Sequence, residues 1–142
     1  MATITAELTA GTAVRMSNGR HTWSADEPLE LQGTDTGPTP YELLLGSLAA
    51  CTCITLGMYA RHKGIVLRSV TTSYEFDRIH VDDCEEWADA TSGFIDHITS
   101  NIEIAGDFDE KQRKRLAQVA SRCPVHKTLE KGIVFSDNVQ FA

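Results

Sequence analysis

The chain has 142 residues, 42% hydrophobic and 23% charged, the proportions of a soluble globular protein with room for one core. Its formal net charge of −7, with no basic patch or run that stands out, argues against nucleic acid as the main partner. The start of the chain, Met1 to Leu8, has no basic stretch leading into an apolar block, so no signal peptide is expected. The 4 cysteines then belong to a reducing compartment, the cytoplasm, where thiols are buried or reactive rather than structural disulfides.

Taken in chain order, Ala2–Thr9 alternates polar and apolar residues and predicts a half-exposed strand. Asn18-Gly19 is a strong hairpin signal and separates two further strands, Ala13–Met16 and His21–Ser24. Leu29–Gln32 reads as one more short strand, and Gly33–Pro38, rich in Gly, Thr, Asp and Pro, as a loop.

A long helix follows. Thr39 suits the N-cap, Pro40 the first helical position, and Glu42 the third, where it closes a capping box with Thr39. The helix is expected to run to Lys63, with Gly64 as its stop, a length of about 36 Å. Leu43–Ala60 contains no charged residue, which reaches the minimum for a membrane span. The serine, threonines, glycines and alanines within it favour instead the central helix of a soluble core, with no membrane partner.

Beyond Gly64, Val66–Arg78 reads as a long strand, His80–Gly93 as an acidic surface excursion, and Phe94–Ile104 as another strand. Asp107 and Asp109 introduce a helix over Glu110–Arg122. Cys123-Pro124 breaks it, because proline disfavours helical backbone in the preceding residue. A short helix, Pro124–Lys131, and a closing strand, Ile133–Phe141, complete an α+β pattern. Without repeats, linkers or low-complexity tracts, residues 1–142 read as a single domain.

Two cysteines carry the chemical interest. Cys51 shares a helical face with Leu44, Ser47, Leu48, Ile54, Thr55 and Met58, whereas Cys53 points about 200° away. Cys123 shares a face with Leu116, Val119 and Ala120, so if the two faces pack together the two thiols become neighbours. At the N-cap of the Pro124 helix, Cys123 would meet free backbone N–H groups that lower a thiol pKa. Cys51 gains nothing from its own helix dipole and would need a cation or donor from elsewhere. Packing alone is the simpler account of a buried cysteine. Zinc would find three ligands in Cys51, Cys123 and His126 but no evident fourth, so no metal is expected.

Around these cysteines, Gly37-Pro-Thr-Pro-Tyr-Glu-Leu-Leu-Leu-Gly-Ser-Leu-Ala-Ala-Cys51-Thr, Met58-Tyr-Ala-Arg61 and Arg122-Cys-Pro-Val-His-Lys-Thr-Leu129 resemble the two signature regions of the OsmC/Ohr family. Asn18-Gly-Arg-His21, Ala25-Asp-Glu-Pro28 and Gly106-Asp-Phe-Asp-Glu110 extend the likeness over nearly the whole chain. The resemblance implies an intertwined homodimer, with curved antiparallel sheets packed on a long central helix. It also implies a thiol peroxidase acting on organic hydroperoxides in defence against oxidative stress. Cys51 would form a sulfenic acid and Cys123 a disulfide with it, which an external dithiol such as a lipoyl group reduces, with no bound cofactor.

Peroxidase members set an arginine and a glutamate beside the first thiolate. Here Ser17 stands where the arginine is expected, flanked by Arg15 and Arg20, of which Arg20 is taken as the activating cation. Tyr41 stands where the glutamate is expected, and Glu42 is next to it, as the carboxylate or only as the helix cap. His126 is a secondary candidate for a hydrogen bond to a thiolate. Two other readings stay open: a small-ligand-binding or redox-sensing dimer with little turnover, and a structural role with both cysteines as core filler.

Overall fold

A computed structural model describes residues 1–80 and 93–142. The acidic stretch expected at the surface, with Cys84, lies almost wholly outside the described residues. The chain divides into two compact units, Met1–Gly46 and Ser47–Ala142, with the long helix running through the division.

The first unit is a three-stranded antiparallel meander. Strands β1 (Thr5–Ala10), β2 (Ala13–Ser17) and β3 (Thr22–Ala25) pair in the order β1-β2-β3. The Asn-Gly turn joins β2 to β3 as the sequence predicts: Asn18 Oδ1 accepts from the backbone N–H of Arg20 and His21, and Gly19 takes φ 90°.

The strand expected over Leu29–Gln32 is instead a single 3-10 turn, Leu29–Leu31. Leu31 N–H donates to the Pro28 carbonyl and Gln32 N–H to that of Leu29, so local bonds take the groups a strand would offer a neighbour. The following loop is wound around Asp26, which is 2% exposed. Its Oδ1 accepts from the Thr12 hydroxyl at 2.6 Å and the Glu27 N–H at 2.8 Å. Oδ2 accepts from the Thr34 hydroxyl and N–H, and from the Thr36 hydroxyl and N–H at 2.7 and 3.2 Å. These donors, led by the Thr12 hydroxyl, hold the carboxyl far below the usual carboxylate range. Only glycine fits at 33, because a Cβ there would collide with the Glu27 carbonyl.

Helix α1 spans Pro40–Lys63, as read from its caps. Thr39 N–H donates to Glu42 Oε2 at 2.8 Å and Glu42 N–H to Thr39 Oγ1 at 3.2 Å, a reciprocal capping box. Gly64, at φ 66°, ends it. The helix is long and apolar enough to cross a bilayer, by length and composition. Its buried residues are Leu48, Thr52, Leu56 and Ala60, a narrow i, i+4 stripe. The face expected to lie inward with Cys51 is therefore only partly covered, and Ile54 and Met58 are 60% and 62% exposed.

In the second unit, β4 (Ser69–His80) and β5 (Phe94–Ala105) form a long antiparallel pair, in register from Ser69 opposite Ala105 to His80 opposite Phe94. Inward positions pair Val70 with Ile104 and Thr72 with Ile102, branched side chains that fit a pleated face. Helix α2 (Glu110–Ala120) starts on an Asp109–Gln112 capping box and ends two residues before the predicted Arg122. Helix α3 spans Pro124–Lys131, as predicted. Leu56, Leu116 and Val119 form the buried centre, with Tyr59, Leu67, Val70, Ile102, Ile104 and Phe108 packed around them.

The closing strand expected over Ile133–Phe141 does not form. This segment pairs with no described strand, and Val134, Phe135, Val139 and Phe141 are between 76% and 96% exposed. Alternating apolar residues favour a strand only where a neighbouring edge takes up their backbone groups.

Candidate functional site

The second unit brings Cys51 and Cys123 together. Both are free thiols, Cys51 half-buried in the middle of α1 and Cys123 only 1% exposed at the start of α3. Cys51 lies within hydrogen-bonding reach of Cys123. The break at Pro124 makes this possible, because it ends the preceding helical run and leaves Cys123 as the N-cap of a new helix. There the sulfur accepts from the His126 backbone N–H at 3.5 Å, and the Val125 N–H also reaches it. These are the unpaired donors of a helix start.

The two sulfurs are not equivalent. Burial pushes the Cys51 thiol up, as does its hydrogen bond to Cys123, and the Val125 N–H and the Thr55 hydroxyl, 3.9 Å away, do not offset this. Burial also pushes Cys123 up. The Cys51 thiol, the N–H groups of His126 and Val125, and the Thr52 hydroxyl together reverse this and hold Cys123 below the ordinary thiol range. The Cys51 thiol therefore titrates above, and the Cys123 thiol below, the ordinary thiol value. Their ionisations belong to the pair rather than to either residue.

Three of the other sequence candidates belong to the first unit. Arg15 is exposed on β2, Arg20 is exposed in the β2–β3 turn, and Glu42 caps α1, all within the Met1–Gly46 unit. The groups acting on Cys51 are Cys123, Val125 and Thr55, none of them cationic. The His126 side chain is exposed and lines a cavity of about 390 Å³ with Tyr74, so its bond to Cys123 comes from the backbone and not from the imidazole. Cys53 faces β4, 3.7 Å from the Thr72 hydroxyl and 3.9 Å from the Val70 carbonyl. Among the described residues no group of three or more metal-ligating side chains converges.

Sequence reasoning missed Thr52 and Tyr74. Thr52 is 1% exposed, and its hydroxyl lies 2.7 Å from the Tyr74 hydroxyl on β4. The signal was a single hydroxyl in an otherwise apolar stripe, Leu48, Thr52, Leu56 and Ala60, where a buried polar group requires a partner.

An α+β chain with a long capped helix and two neighbouring thiols, one of them at a helix start, defines a dithiol protein. Residues 33–136 match the family model described as OsmC-like protein, and the chain belongs to that family. Among solved structures, an OsmC-like protein from Mycoplasma pneumoniae is similar at 26% identity and a TM-score of 0.70, over 92% of this chain and 87% of that one. An organic hydroperoxide resistance protein OsmC from Legionella pneumophila is similar at 20% identity and a TM-score of 0.60, over 89% and 87%. The organic hydroperoxide resistance protein OhrB of Bacillus subtilis is similar at 19% identity and a TM-score of 0.57, over 89% and 88%. No curated protein matches the chain in sequence.

Proposed function

We propose that this protein is a cytoplasmic thiol peroxidase that reduces organic hydroperoxides through Cys51 and Cys123 and works as a homodimer. The observation that carries the reading is the contact of the two thiols in a chain of the OsmC family. Neighbours named for organic hydroperoxide resistance supply the substrate class.

Cys51 is the sulfur that a peroxide reaches, because it is half-buried whereas Cys123 is covered. Cys51 passes its proton to the Cys123 thiolate and attacks the terminal peroxide oxygen. The O–O bond breaks, Cys51 becomes a sulfenic acid, and the departing alkoxide takes the proton back from Cys123 to leave as the alcohol. The restored Cys123 thiolate then attacks the Cys51 sulfur. Hydroxide leaves, takes a solvent proton to become water, and a disulfide remains. An external dithiol returns both thiols, at the cost of its own two electrons. In this scheme Cys123 is proton acceptor first and resolving nucleophile second, which gives Cys51 a base where Arg15, Arg20 or Glu42 would otherwise be needed.

A second copy is supported by apolar surface that one chain leaves uncovered. Ile54 and Met58 on α1, and Val134, Phe135, Val139 and Phe141 beyond α3, are exposed in a single chain. The competing reading, a ligand-binding or redox-sensing dimer with little turnover, draws on the raised Cys51 thiol, whose reactive form is scarce at neutral pH.

Consumption of cumene hydroperoxide with dihydrolipoamide decides between them. Turnover by the native chain that Cys51→Ser abolishes is the expected result. Consumption no faster than that of Cys51→Ser refutes the peroxidase.

A further inference from the structure

Away from the thiol pair, the second unit gathers positive charge in one place. A cavity of about 520 Å³ lies between the end of α1 and α2. Lys63 lines it from α1 and Lys111, Lys114 and Arg115 from α2, with Tyr59 and Gln118 beside them. The chain has 13 lysines and arginines against 20 acids, yet these four meet here and no carboxylate lines the space. Among the described residues, none of the four is within ion-pair distance of a carboxylate. No basic patch stands out along the sequence, because it takes the fold to set Lys63 beside the three cations of α2.

Lys63 suits its place, since a cation favours the negative end of a helix. The three on α2 do not. Lys111 sits in the first turn, against the positive end of the dipole, in a helix with no basic residue in its last turn. Lys114 and Arg115 follow it at three and four positions, spacings at which like charges repel across one helix face. Local rules broken without a gain in folding mark a functional surface. Arg115 is also held ready. Its guanidinium carbon lies 5.9 Å from the centre of the Tyr59 ring, and Nη1 donates to Gln118 Oε1 at 3.1 Å. Among the described residues that is its one hydrogen bond, so the rest of the fork is left to grip an anion.

We propose that this cavity binds a small ligand carrying two or more phosphate groups. Four unpaired cations exceed what one carboxylate can neutralise, and an arginine fork among point-charge lysines fits clustered phosphate oxygens. The volume lies within the range of small-molecule sites. Neither Cys51 nor Cys123 lines the cavity, so the site goes beyond the peroxidase reading and does not depend on it.

Isothermal titration calorimetry with inorganic pyrophosphate tests the site, with citrate as a polyanion that has no phosphate. One pyrophosphate per chain is expected, with citrate binding more weakly. Arg115→Gln should weaken pyrophosphate about tenfold, the scale of one hydrogen bond to a charged group. The double variant Lys111→Gln with Lys114→Gln should weaken it at least as much. Lys127→Gln removes one positive charge from α3, outside the cavity, and should leave the affinity unchanged. No binding to the parent, or equal weakening by Lys127→Gln and Arg115→Gln, overturns the site. Citrate that binds as tightly as pyrophosphate overturns the phosphate assignment. If circular dichroism shows that Arg115→Gln does not fold, the lysine pair decides, and an unchanged affinity there overturns the proposal.

Discussion

Oxidation of the thiol pair should stabilise the protein by an amount the chain itself sets. Cys51 and Cys123 are 72 positions apart in sequence, so a bond between them closes a long loop in the unfolded chain. Loop-closure entropy for that length corresponds to about 4 kcal/mol at 25 °C. The two thiols act on each other in the reduced protein, so little movement is needed to join them and little native strain should offset this gain. For a chain of this size the melting temperature should rise by roughly 10–20 °C on oxidation. The assay is thermal unfolding followed by circular dichroism, with one sample reduced by dithiol and one treated with a stoichiometric hydroperoxide, and the disulfide verified by peptide mass spectrometry. Cys51→Ser and Cys123→Ser should each abolish the difference between the two samples. A verified Cys51–Cys123 disulfide that leaves the melting temperature unchanged, or lowers it, would refute the reasoning. The two sulfurs would then have to be dragged together rather than lie together.

Asp26→Asn should loosen the Met1–Gly46 unit, since an amide cannot accept from all the hydroxyl and backbone donors now directed at that carboxylate. The native carboxyl is held below its unfolded range, so its contribution is present above about pH 4 and lost as pH falls through the folded value. Acid unfolding monitored by Trp23 fluorescence should therefore lose part of its pH dependence below about pH 4 in Asp26→Asn. Leu56→Ala removes a side chain with 0% exposure from the centre of the second unit, and urea unfolding should show a loss of about 2–5 kcal/mol. Gly33→Ala drives a methyl group into the Glu27 carbonyl, and soluble yield and proteolysis of the 26–38 loop should report its displacement.

Local chemistry made much of this protein legible before any folding was considered. Thr39, Pro40 and Glu42 at one end and Gly64 at the other set α1 to the residue, because capping bonds and a left-handed stop act within a few positions. Asn18-Gly19 set a turn for the same reason, and Pro124 set the start of α3 and hence the N-cap place of Cys123. Leu29–Gln32 and Ile133–Phe141 were misread because strand formation depends on a neighbour that the local pattern does not contain.

What only the tertiary structure decided is which of the two thiols titrates lower. Sequence places Cys123 at a helix start and Cys51 in mid-helix, and helical periodicity sets Cys53 apart from Cys51. It does not bring α1 against the start of α3, bring Tyr74 from β4 to Thr52, or cover Cys123 while leaving Cys51 half open. A thiol pKa depends on burial and on donors from several segments at once, and those meet only when the chain has folded.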